Sequence, residues 1–109
     1  GDVYKRQVLN AVRETQTSLV QYTAALQRRD ALAEADDSAK TAADQTHQFF
    51  AAGRESFLAD LQATRTYTDV RAQLAAANTQ VAMSQIDLFL ALGGGWESSR
   101  AQAPDAPKP

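Results

Sequence analysis

From Val8 to Phe50 the chain contains neither proline nor glycine. Nothing in that stretch breaks a helix, and most of its residues are good helix formers, so it reads as one long helix. Gly53 is the only glycine between residue 2 and residue 93, and a second helical pattern runs from about Phe57 to Leu92. Two long helices divided by one short interruption predict an all-α fold. Its form is a long antiparallel helical hairpin with coiled-coil-like packing over residues 8–92 and a tip near 51–56.

The seams can be read from the spacing. In the first helix Val12, Thr15, Leu19, Tyr22 and Leu26 alternate spacings of three and four, and Ala33, Lys40 and His47 continue that register with small or polar side chains. In the second, Tyr67, Leu74, Val81 and Leu88 recur every seven residues, with Val70, Ala77, Ser84 and Ala91 three after each. Ile86, Phe89, Leu90 and Leu92 widen the apolar surface at the far end, which predicts more than one packing neighbour there. At ~1.5 Å per residue each arm would be on the order of 50 to 65 Å long. A rod of that kind, with stripes wider than one partner covers, is not expected to be a finished monomer.

At the tip, Gly53 suits a helix C-terminus that needs a left-handed residue, and Ser56 suits an N-cap, with Phe57 and Leu58 entering the next helix. Asp60 follows near that helix's N-terminal end, where the helix dipole favours negative charge.

Composition agrees with close helix packing. Apolar residues make up 44% of the 109, yet aromatics are only 7% and alanine supplies much of the rest, so bulky core-filling side chains are scarce. Small side chains let helix backbones approach. The formal net charge is −2 with both signs interspersed, which leaves no electrostatic footprint for nucleic acid or an anionic membrane surface. There is no cysteine, which excludes a disulfide framework and thiolate metal sites. No apolar run approaches the ~20 residues of a membrane-spanning helix.

The two ends are read separately. Common codons for Asp2 to Gln7 resemble the end sequence that transposase-based sequencing adapters leave on DNA, so residues 1–7 are expected to be an adapter scar and the native reading to start at Val8. On that reading the upstream part of the protein is missing. Gly93, Gly94 and Gly95 followed by Trp96 form a stop, and 93–109 ends in a Pro, Ala and Ser tail too poor in apolar residues to order itself.

Chemistry-bearing residues are few. His47, the sole histidine, has Asp44 three residues before it, but a metal site needs three or four converging ligands and no second histidine or cysteine exists. Glu34, Asp36 and Asp37 form an acidic cluster that reads as solvated charge, because a two-helix rod supplies no cleft to set carboxylate acidities apart. No nucleophile elbow, phosphate-cradling loop or Ser/His/Asp arrangement is present, so no enzyme and no cofactor is expected.

Three blocks carry a family resemblance: Leu9-Asn10-Ala11-Val12-Arg13-Glu14; Phe50-Ala51-Ala52-Gly53 with Phe57, Leu58, Leu61, Ala63 and Arg65; and Leu88 through Trp96, reading L-F-L-A-L-G-G-G-W. In this order they resemble the C-terminal third of the outer-membrane efflux factors, the TolC-like exit ducts of Gram-negative tripartite pumps. The G-G-G-W close is more similar to the lipoprotein branch that serves resistance-nodulation-division pumps. The resemblance implies a homotrimer in the outer membrane, with a transmembrane β-barrel formed by missing upstream strands above a periplasmic α-barrel of which this hairpin is a stave. It implies passive export of small molecules, together with a periplasmic adaptor and an inner-membrane pump. It also implies that Phe50, Ala51, Ala52, Gly53, Arg54, Glu55, Ser56, Phe57 and Leu58 meet the adaptor, and that Asp60, Gln62 and Arg65 lie in a candidate aperture region. Gln62 stands where the family usually has aspartate, and Asp60 lies roughly 200° around an ideal helix from it, which puts a carboxylate ring at the usual position in doubt. The alternative from the residues alone is a self-contained soluble helical hairpin acting as a scaffold.

Overall fold

The computed structural model describes residues 1–94, so Trp96 and the rest of the expected tail lie outside the described residues. α1 spans Asp2–Ala51 and α2 spans Phe57–Phe89, followed by a π-helical turn over Leu90–Gly94. These are the two long helices of a hairpin, and no strand occurs among the described residues. α1 begins before Val8: the segment expected to be foreign is helical, with the Lys5 N–H bonded to the Gly1 carbonyl at 3.1 Å. The α-helical part of the second arm stops three residues short of the expected Leu92. Gly93 and Gly94 favour the α-helix poorly, and the last turn loosens into the wider π form.

The chain divides into two compact units, Leu26–Gln80 and Gly1–Ala25 with the chain from Val81 onward. In the first, α1 shelters Arg29, Leu32, Asp36, Ala39, Ala43, Thr46 and Phe50, while α2 shelters Asp60, Ala63, Tyr67, Val70, Leu74 and Ala77. In the second, the sheltered residues are Thr15, Ser18, Tyr22 and Ala25 of α1 with Val81, Ser84, Leu88 and Ala91 of α2. The expected α2 seam is therefore the one that packs, at every position.

The α1 seam differs from expectation. Thr15, Tyr22, Leu26 and Ala33 are sheltered as predicted, but Val12 and Leu19 are 48% and 51% exposed, and Lys40 and His47 are exposed as well. The true partners of Thr15 and Tyr22 lie three residues after each, at Ser18 and Ala25, and the pattern continues through Arg29, Leu32, Asp36, Ala43 and Phe50. Close helix approach selects a face on which Ser18, Ala25, Ala39 and Ala43 are small, and Val12 and Leu19 are displaced to an outer one.

Buried apolar residues among those described are Ala25, Ala43 and Ala77, and no large side chain is fully buried. Burying a methyl group is worth on the order of 0.8 kcal/mol. Such a seam stabilises the hairpin only modestly. Thr23, Thr46, Thr68 and Thr79 each donate a hydroxyl hydrogen bond to the carbonyl four residues earlier, at 2.7 to 3.2 Å. These bonds satisfy the hydroxyls within their own helix.

Candidate functional site: the hairpin tip

α1 ends in a two-bond cap. The Arg54 N–H donates to the Phe49 carbonyl at 2.7 Å and the Gly53 N–H to the Phe50 carbonyl at 3.0 Å, the pairing of a Schellman motif. The motif needs a left-handed residue, and Gly53 supplies it with φ of +74°. A Cβ there would meet nothing within 4 Å, so glycine is required for backbone conformation and not for space.

α2 is capped in turn by Ser56, whose Oγ accepts the Ala59 N–H at 3.1 Å, while the Glu55 carboxylate accepts the Ser56 N–H at 3.2 Å. Few backbone groups of the turn are left to fray. Phe50 and Phe57 meet across it as a tilted aromatic pair, with ring centroids 5.7 Å apart and planes at 58°.

One helical turn behind the aromatic pair, Asp60 is buried with its side chain 13% exposed, and both its carboxylate oxygens lie 3.3 Å from His47 Nδ1. The His47 side chain is 70% exposed, and its partner is Asp60 and not Asp44. The histidine and the aspartate lie six residues before and seven after Gly53. An antiparallel hairpin folded about that glycine brings such positions level, and this symmetry was the available signal.

The tip residues expected to act together are brought together. Ala51, Ala52, Gly53, Arg54, Glu55, Ser56, Phe57 and Leu58 are all exposed, and Phe50 is half-buried beneath Phe57. Phe57, Leu58, Leu61 and Phe49 keep 62%, 61%, 52% and 48% of their surface in solvent, an apolar group at a hairpin tip that also carries Arg54 and Glu55. Gln62 and Arg65 are exposed, whereas Asp60 is committed to the interior of the hairpin.

The acidic cluster also divides. Glu34 and Asp37 are exposed, but Asp36 is half-buried on the seam, with Oδ1 lacking a hydrogen-bond partner. Among the described residues no group of three or more His, Cys, Asp or Glu is placed to hold a metal ion, and no helix is long and apolar enough to cross a membrane. In the unit of 1–25 and 81 onward, Arg13, Glu14, Thr17, Ser18, Asp87, Leu90 and Ala91 line an open groove of about 470 Å³.

The family model described as "Outer membrane efflux protein" matches residues 2–94. No curated protein and no solved structure matches the chain.

Proposed function

Because this chain belongs to the outer membrane efflux protein family and is a component of an outer-membrane efflux channel, we propose that it forms a periplasmic stave of a trimeric exit duct in a tripartite pump. The conduit is passive: the inner-membrane pump supplies the energy, and small molecules cross when the staves splay near their tips. The G-G-G-W close at 93–96 supports the lipoprotein branch of the family.

The observation that carries the docking role is the tip itself. Both helix ends are capped by local hydrogen bonds, the turn is locked by an aromatic pair, and yet residues 51–58 are exposed with Phe57 and Leu58 presented outward. A preorganised apolar protrusion loses little entropy when it binds and suits a helical-hairpin partner such as the periplasmic adaptor. Arg54 and Glu55 supply polar contacts at its rim.

The test is photo-crosslinking in cells from a benzophenone amino acid in place of Arg54 in the intact protein. A crosslink to the adaptor that disappears when the pump operon is deleted is expected. Capture of only other copies of this chain, or of nothing, would contradict tip docking.

A further inference from the structure

His47 is a largely exposed ring whose inner edge is fixed. Its Nδ1 contacts both oxygens of a buried carboxylate, Asp60. A carboxylate only accepts, so Nδ1 carries the proton, and in the neutral ring Nε2 is left as a lone-pair acceptor. The Nδ1 edge is turned to the buried group while the side chain as a whole stays 70% exposed.

The arrangement is an expensive way to fill a position between helices. Burying a carboxylate against one long hydrogen bond from an exposed ring returns less than an apolar side chain would. What the pair does supply is orientation, as when a carboxylate sets the tautomer and direction of a ligating histidine. A metal ion would require further ligands, and no such group exists among the described residues.

The geometry points to His47 Nε2 as a preset hydrogen-bond acceptor for a donor on the protein that docks at the tip. The donor class is a hydroxyl, an amide N–H or a basic side chain on a helical hairpin. This inference rests on the tip-docking reading and extends its surface one helical turn up α1 from Phe50. Asp60 is then a positioning residue, and its usefulness lies in holding the ring and not in lining an aperture.

The experiment compares variants of the intact protein binding the purified adaptor of the same pump, alongside diethyl pyrocarbonate labelling of His47 read by mass spectrometry. Adaptor should slow labelling of His47. His47→Gln, which keeps an acceptor but loses the contact with Asp60 that orients it, should weaken binding by about the same factor as Asp60→Leu, and His47→Phe, which has no acceptor, should bind about five- to tenfold more weakly than the native protein, the worth of one hydrogen bond. Asp60→Leu should keep or raise thermal stability and still weaken binding by a similar factor, a combination that a purely structural role would not give. If the Arg54 crosslink forms but His47 labels at an unchanged rate, or Asp60→Leu binds as tightly as the native protein, this inference fails while tip docking stands. If the adaptor neither crosslinks nor binds, both fail.

Discussion

The two units share one kind of seam and differ in what they show to the outside. In Leu26–Gln80 the exposed large apolar residues are Phe49, Phe57, Leu58 and Leu61, all at the tip, and the other exposed residues are polar ones, alanines and Gly53. In the other unit Val8, Leu9, Val12, Leu19 and Val20 of α1 remain exposed, as do Met83, Ile86, Phe89, Leu90 and Leu92 of α2 and the turn after it. Sequestered small residues hold each unit's helices together, so this contrast has nothing to do with the hairpin's own core. On the proposed stave reading it reports neighbours: one unit carries exposed apolar residues for further helices to cover, and the other carries them only at its tip.

That contrast predicts a graded set of outcomes. The largest effect belongs to Phe89→Ser. Phe89 is 76% exposed, so the change should leave the hairpin's own helicity intact, yet cost the assembled channel about 2 to 3 kcal/mol through lost apolar burial. It should appear as a lower dissociation temperature of the purified oligomer. The seam should respond in the opposite sense: Ala77→Leu overpacks a position that is 3% exposed and should destabilise the hairpin itself by about 1 to 3 kcal/mol, seen as lost helicity on heating.

Gly53→Val should cost about 1 to 2 kcal/mol, because a β-branched residue resists a φ of +74° even with open space around it. Pump-dependent resistance at normal expression should fall, and unchanged resistance would remove the turn from the mechanism. The smallest effect is expected of His47→Ala, about 1 kcal/mol of thermal stability, because it leaves the Asp60 carboxylate buried without its partner. Asp60→Leu, which removes the charge as well, should not share that loss.

How legible these features were depended on the size of the side chains. α2 could be read position by position because its seam alternates Tyr67, Leu74, Val81 and Leu88 with small residues, so hydropathy and packing point the same way. In α1 they diverge. Val12 and Leu19 carry the hydropathy but face outward, while Ser18, Ala25 and Ala43 carry the contact and give almost no apolar signal. Leu32 is sheltered too, but one leucine with Arg29 and Asp36 as its seam neighbours does not mark a stripe. The caps were legible because Gly53 and Ser56 are residue types whose local backbone chemistry is specific. The His47–Asp60 contact was legible only through the near-symmetry of the two positions about Gly53, since no property of either residue alone marks it. Asp36 was missed because without the correct α1 seam it could not be placed between helices.

The central claim is that the hairpin is a stave whose broad outer face is covered by neighbouring helices in a channel. Labelling with a membrane-impermeant maleimide tests it most directly, using Ile86→Cys and Gln73→Cys in the intact protein after outer-membrane permeabilisation; both positions are exposed in the chain itself, and residues 1–109 contain no native cysteine. The account predicts that the substituted position 86 is shielded and position 73 reacts readily. Equal, rapid reaction at both positions would mean that nothing covers that face, and the stave reading would be contradicted.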